Sequence, residues 1–322
     1  MIRPFGWAFV GAGGIARSVA KRIFGCGRHK LVSVYNRTLS HARELADKYG
    51  AKACDRLEEA VGADGVDGVY VNVTNNVHFK YALEAIKCGK PVLLEKPMVT
   101  RAEQLEKLIE AASEHDVYLA EAMWTWFSDQ ANEVKSIISG GELGKVESAE
   151  ISLCLPIAFS KKNRLLRPEL AGGALLDLGI YPITYAYRLF GYPKAVQSKA
   201  KFLCGVDKSD DIKFVYDDFE VRIKTSIRSL RGVGESMKIV CEKGRIVSGN
   251  YHSGASFKVR GFKNVRFPAD KNAMLTQFDR VAAEIREGLK ESRFVPLSSS
   301  LDTARITDGI RDEIGLEFPF EK

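Results

Sequence analysis

The 322-residue sequence has no uninterrupted apolar run of the ~20 residues that a membrane-spanning helix needs, so no spanning segment is expected. Its six cysteines, at positions 26, 54, 88, 154, 204 and 241, are scattered, form no CxxC pair and gather around none of the five histidines. They fit reduced, mostly buried thiols better than a disulfide scaffold or a zinc site. There is no internal repeat and no low-complexity segment. The N-terminal MIRPFGWAFVGAGG enters a strand by about Phe5, which leaves no room for a secretory leader and points to the cytoplasm. Charge of one sign is also not concentrated. The formal net charge is +7, but basic residues interleave with acidic ones, and only short clusters such as Lys161-Lys162 with Arg164 stand out. A solvated surface with some pull on anionic ligands is the better reading, and nucleic acid is not an expected partner.

What is present is a chain 45% apolar and 28% charged, suited to about two globular domains at ~150 residues each. The first third alternates strands and helices. Strands are expected at 5–10, 31–35, 69–73, 92–94 and 117–120, with helices to about Gly25 and over 40–49 and 77–87. Thr100 and Glu103 have capping-box spacing before a helix whose stripe is Leu105, Leu108, Ile109 and Ala112. Short buried strands alternating with helices imply a parallel sheet covered on both faces. After about Ala122 the rhythm changes. Residues 219–228 alternate with period two, and 237–241 and 257–260 resemble them, as in an antiparallel sheet with one wet face. Helical patterns at 128–139, 177–190, 273–288 and 299–314 are expected to cover its buried face. The fold class is therefore α/β, a doubly wound Rossmann domain over 1–122 followed by an α+β domain over 123–322.

GAGGIA, residues 11–16, follows the first strand and opens the first helix, fitting G-x-G-x-x-A. Gly11 permits the tight turn, Gly13 a close approach of backbone to a pyrophosphate, and Ala16 close packing of helix on sheet. With Gly14 and Ile15 these residues form the expected dinucleotide cradle at a helix N-terminus. The second strand ends in VSVYNRT, residues 32–38, without the carboxylate that an NAD ribose wants. Arg37 is there instead, flanked by Asn36 and Thr38, and its planar fork suits a 2′-phosphate. NADP(H) is favoured, with NAD(H) as the alternative.

PVLLEKPM, residues 91–98, turns abruptly from a buried strand to Glu95 and Lys96. Ligands of open parallel sheets lie beyond the carboxyl ends of strands, where Lys96 stands. Pro97 biases Lys96 toward extended backbone. A lysine there is suited to hold a substrate oxygen or a proton; the plain alternative is a surface lysine beside a glutamate.

The combination of GAGGIA (11–16), EKPM (95–98), EAMWTWF (121–127) and GGALLDLGIYP (172–182) resembles the Gfo/Idh/MocA oxidoreductase family, and the last two motifs its dimeric dihydrodiol dehydrogenase branch. The resemblance covers nearly the whole chain. It implies an open, largely antiparallel sheet in the second domain, which binds substrate and forms oligomers. It implies Lys96 as the lysine near the nicotinamide and substrate, and Tyr181 as acid/base where many members carry His. A free tyrosine titrates near ~10, and a nearby ammonium lowers that value. Asp177 would orient a substrate hydroxyl or Lys96; with Tyr181 it has i, i+4 spacing, and Pro182 marks a first helical turn. A helix cap for Asp177 and a half-buried aromatic for Tyr181 are the plain alternatives. TNNVH, residues 74–78, resembles a family segment near the cofactor, with Asn75 where Pro is usual, so Thr74, Asn75 and His78 join the cofactor set with Glu95, Lys96 and Trp124. His78 reads equally as a helix-start residue. Trp126 departs from the branch, which has Arg there, and Ser128 replaces Pro; the branch's substrate does not transfer directly.

The expectation is an NADP(H)-dependent oxidoreductase moving a hydride between nicotinamide and a secondary alcohol or carbonyl of a sugar, polyol or cyclic diol. It needs no metal and works as a homodimer or larger homo-oligomer. Alternatives are an NAD-dependent sugar or inositol dehydrogenase and a non-catalytic dinucleotide sensor.

Overall fold

The protein is described by a computed structural model over residues 3–160, 163–228, 234–254, 256–261 and 265–321. Its contacts group into two compact units. One holds the chain up to Phe127 with Met274–Ser298; the other holds Ser128–Ala273 with the chain from Ser299 on.

The first unit opens with β1 (Phe5–Val10), α1 (Gly14–Ile23), β2 (His29–Tyr35), α2 (Leu39–Tyr49), β3 (Lys52–Cys54), α3 (Leu57–Val61) and β4 (Gly68–Val71). It continues with α4 (His78–Lys87), β5 (Val92–Glu95), α5 (Ala102–Glu114) and β6 (Leu119–Ala122). The strands form one parallel sheet in the order β3-β2-β1-β4-β5-β6. Every residue of β1 and β4 is buried, as a strand covered on both faces requires. The order reverses between β1 and β4, the crevice where such sheets bind ligands. The edge pair β3 and α3 was not expected, being too short for a periodic signal. Thr100 and Glu103 do not form the expected capping box. The Thr100 N–H and hydroxyl instead donate to Gln104 Oε1 at 3.2 and 3.3 Å, while Glu103 accepts from Lys107, a step of four that brings side chains together on a helix.

The second unit contains α6 (Asp129–Ser139), β7 (Val146–Cys154), α7 (Ile180–Phe190), β8 (Ala195–Leu203) and β9 (Val206–Val215). It adds β10 (Glu220–Ser226), β11 (Gly234–Cys241), β12 (Gly244–Ser248), β13 (Phe257–Gly261) and β14 (Val265–Phe267). Among the described residues the sheet runs β14-β13-β12-β11-β7-β10-β9-β8, antiparallel except where β10 lies parallel to β7. Alternation puts Val221 and Ile223 inward with Ala149, Ile151, Met237 and Ile239, while Arg222 and Lys224 face out. Helix α7 lies over β7 and β10.

The chain then forms α8 (Ala273–Arg286) and α9 (Leu297–Ile314). The expectation that the 273–288 helix covers the second sheet is wrong. From Met274 it packs in the first unit, with Phe278 against Trp7 and Tyr70 at ring-centroid distances of 5.0 and 5.2 Å. Arg28 and His29 both bond Asp279 at its edge, and buried Glu284 accepts the Tyr118 hydroxyl at 2.6 Å. An apolar stripe declares that a helix is buried, not which sheet it meets. All six cysteines are free, but Cys88 and Cys204 are exposed, so only some match the expected burial. No helix among the described residues is long and apolar enough to cross a membrane.

Candidate functional site

In the first unit the glycine turn leaves β1 at the point where the strand order reverses. Gly11 has φ +117°, and its N–H donates to the Tyr35 carbonyl at 2.8 Å. A Cβ there would meet Asn72 Oδ1 at 2.6 Å, so the turn needs glycine for both conformation and space. Gly13 is different. It is extended (φ −76°, ψ −168°), and a Cβ on it or on Gly14 would meet nothing within 4 Å. The fold does not itself demand glycine at these two exposed positions. Helix α1 starts there with no side-chain cap and no acid in its first turn. Its first N–H groups and the positive end of its dipole are thus left for an anion. Ala16 is fully buried, whereas Ile15 is 38% exposed.

Asn36 ties this turn to the end of β2. Its Oδ1 accepts the Ala12 N–H at 3.3 Å, and its amide donates to the Thr38 carbonyl at 3.0 Å. Arg37 and Thr38 are exposed, and Arg37 makes no ion pair among the described residues. The residues present fit a dinucleotide with a 2′-phosphate: an open backbone cradle, an uncapped helix and an uncommitted guanidinium at the second strand's end.

At the end of β4, Thr74 donates to Asn76 Oδ1 at 2.7 Å, and Asn75 is buried. His78 is 1% exposed, with Nδ1 2.8 Å from the Pro97 carbonyl and Nε2 3.1 Å from the Val73 carbonyl. It is a cross-brace between the loops after β4 and β5, which favours a supporting role over the expected ligand contact. Glu95 turns inward to receive the Tyr70 hydroxyl, and its other oxygen accepts the Lys96 N–H at 3.2 Å. The Glu95 half of the charged pair is thus bound into the protein. Lys96 is half-buried and joined to Pro97 by a cis peptide bond. Trp124 is half-buried in a short turn, while Trp126 is fully buried and is a core residue.

In the second unit, Asp177 does not yet lie in an α-helix. It sits in a π-turn, Leu175–Gly179, and α7 begins at Ile180, so the expected α-helical i, i+4 face with Tyr181 is not formed; Gly179, not Asp177, occupies the cap. Wide turns of this kind recur at functional sites. Pro182 does fall in the first turn of α7, where its missing N–H is harmless. Asp177 Oδ1 accepts from Arg164 at 2.6 Å, with the Asp side chain 14% and the Arg 45% exposed.

The glycines before the turn explain its position. A Cβ on Gly172 would strike the Arg164 carbonyl at 2.6 Å, and one on Gly173 (φ +122°) would lie 2.0 Å from Asp207 Oδ1. These approaches hold the turn against the Arg164 loop and against Asp207, whose Oδ2 accepts the Leu175 N–H at 2.6 Å. Burial raises the Asp207 carboxyl, and that N–H partly offsets it; burial followed by the Asp207 charge raises Asp210 further. Tyr181 is 8% exposed, with its ring 5.0 Å from that of His252 at 65°. Arg164, apart from its place in a basic cluster, and Asp207, His252 and the Glu235 whose Oε2 lies 2.5 Å from His252 Nδ1 carried no motif signal. Only Gly172-Gly173 hinted that something packs closely there. Among the described residues no group of three or more His, Cys, Asp or Glu is arranged to hold a metal.

The chain matches the Gfo/Idh/MocA oxidoreductase model with NAD-binding Rossmann fold over residues 5–123, and the corresponding C-terminal domain model over 131–247. It is 31% identical over 309 residues to scyllo-inositol 2-dehydrogenase (NADP(+)) IolU of Bacillus subtilis, covering 91% of this chain and 92% of that protein. It is 27% identical over 328 residues to the trans-1,2-dihydrobenzene-1,2-diol dehydrogenase of Danio rerio, covering 97% of each. The solved aldose-aldose oxidoreductase of Caulobacter crescentus, complexed with glycerol, has the same fold at TM-score 0.86 and 22% identity, covering 97% of each chain. The chain belongs to the Gfo/Idh/MocA oxidoreductase family.

Proposed function

We propose that the protein is an NADP(H)-dependent dehydrogenase or reductase of a cyclic polyol, sugar or vicinal diol. The observation that carries this reading is the open glycine cradle at an uncapped α1, with the uncommitted Arg37 at the end of β2. The relative named scyllo-inositol 2-dehydrogenase (NADP(+)) supports both halves of the reading, cofactor and substrate class.

Gly11, Gly13, Gly14, Ile15 and Ala16 would hold the pyrophosphate, and Asn36, Arg37 and Thr38 the 2′-phosphate and ribose. Thr74, Asn75, Glu95, Lys96 and Trp124 complete the cofactor set carried by the motifs. When bound, the nicotinamide accepts or supplies the hydride. Tyr181 takes the proton from the substrate hydroxyl in oxidation and returns it in reduction. Lys96 would hold a substrate oxygen by its positive charge, and Asp177 would orient a substrate hydroxyl. The proposed boundaries are a dinucleotide-binding part over 1–122 and a substrate-binding and oligomerisation part over 123–322, in the cytoplasm.

The test is fluorescence titration with NADPH and NADH, followed by NADP+-linked turnover on a panel of inositols, aldoses and trans-vicinal cyclic diols. Tighter NADPH binding and turnover on one class are expected. NADH preference moves the assignment to the NAD-linked reading, and cofactor binding without turnover to a sensor.

A further inference from the structure

The second unit holds a three-residue chain that no motif announced. Glu235 is the second residue of β11, and its side chain is only 7% exposed. It grips His252, in the turn after β12, twice. The His252 backbone N–H donates to Oε1, and Nδ1 lies 2.5 Å from Oε2. A carboxylate only accepts, so Nδ1 carries the hydrogen and the tautomer is set. The ring so fixed makes an edge-type contact with Tyr181. One turn along α7 the pattern repeats: Tyr185 packs on Tyr251 at 4.9 Å and 80°, and its hydroxyl donates to the Tyr251 carbonyl at 3.4 Å. Residues 251 and 252 therefore clasp positions 181 and 185 of one helix face. The Tyr185 contact alone would pack the helix. The doubly bonded, buried glutamate acts instead on the orientation of the imidazole against Tyr181.

We infer that Glu235 and His252 form a positioning pair for Tyr181, holding its phenol in the pose from which it exchanges a proton with substrate. The inference rests on the proposed acid/base role of Tyr181. Displacing a reacting group by about 1 Å costs roughly 10²-fold in rate, so loosening the clasp acts on turnover rather than on binding.

The experiment compares Glu235→Gln, His252→Ala, His252→Phe and Tyr181→Phe, with the double variant His252→Ala/Tyr181→Phe, on the panel substrate that wild type turns over best with NADP+. Glu235→Gln and His252→Ala are expected to lower kcat roughly 10- to 100-fold while leaving both KM values and NADPH affinity within about twofold. His252→Phe keeps an aromatic ring but not its anchor, and is expected to be as slow as His252→Ala. In the Tyr181→Phe background, removing His252 is expected to add nothing, which a purely structural role would not produce. Full activity in Tyr181→Phe, or no turnover by wild type, sinks the acid/base reading and the inference with it. A slow Tyr181→Phe beside a fast His252→Phe, or additive effects in the double variant, overturns the positioning role and leaves the acid/base reading standing.

Discussion

Gly11 and Asn72 are packed so closely, at the ends of β1 and β4, that no side chain fits between them: a Cβ on Gly11 would lie 2.6 Å from Asn72 Oδ1. Gly13, two residues on, has open space above it and an ordinary extended backbone. The two glycines therefore fail differently. Gly11→Ala places a side chain in a left-handed conformation at ~1–2 kcal/mol and also displaces Asn72. A fall in Tm of roughly 4–8 °C is expected for a loss near 2 kcal/mol. Gly13→Ala is expected to melt as wild type yet bind NADPH at least ~10-fold more weakly, because its methyl occupies the pyrophosphate's approach. Equal Tm losses in calorimetry, or undiminished NADPH binding by Gly13→Ala, would refute the distinction.

Arg37→Ala removes a guanidinium that pairs with no acid among the described residues, so it leaves no orphaned carboxylate. A hydrogen bond to a charged group is worth ~1.5–3 kcal/mol, roughly a 10- to 150-fold rise in the NADPH Kd. NADH affinity should not move. A parallel loss for both cofactors in isothermal titration would show that Arg37 supports the loop rather than reading the phosphate.

The contrast between these glycines shows what was legible beforehand. The G-x-G-x-x-A spacing and buried strand runs predicted the parallel sheet and its turn, because both follow from local sequence. The sequence was less informative wherever a residue's role comes from a distant partner. Nothing near Asp207 announces that Leu175 donates to it, and nothing near Glu235 announces His252. The stripe of α8 is plain, but its pairing with Trp7 and Tyr70 joins residues more than two hundred positions apart. His78 reads from the sequence equally as a strand-end ligand and as a helix start; it is the first residue of α4, and the two carbonyls it braces appear only in three dimensions.

Arg164 and Asp177 form a half-exposed ion pair. Such a pair is worth at most ~1 kcal/mol, so Arg164→Ala should shift Tm by no more than roughly 2–4 °C. Its effect should appear in turnover, because Arg164 is one of the groups that orient the Asp177 carboxylate. A fall in kcat/KM of about 10-fold is expected for Arg164→Ala, and of about 100-fold for Asp177→Asn, with NADPH binding intact in both. Wild-type kcat/KM in Arg164→Ala would reduce the ion pair to a surface contact.

Asp210 provides the pH test. It is 2% exposed on β9, and burial, then the neighbouring Asp207 charge, raises its carboxyl far above the usual range. An unfolded aspartate titrates near ~3.9, so above that pH the folded protein keeps a proton that the unfolded chain releases. The stability tied to this proton is complete below about pH 4 and is lost as pH rises through the folded value, at up to ~1.4 kcal/mol per unit. Asp210→Asn is neutral throughout and removes that slope. Denaturant midpoints between pH 5 and 9 should fall more steeply with pH for wild type, the variant becoming the more stable protein toward pH 9. Parallel stability curves would mean that Asp210 is charged in the folded protein, its burial offset by other contacts.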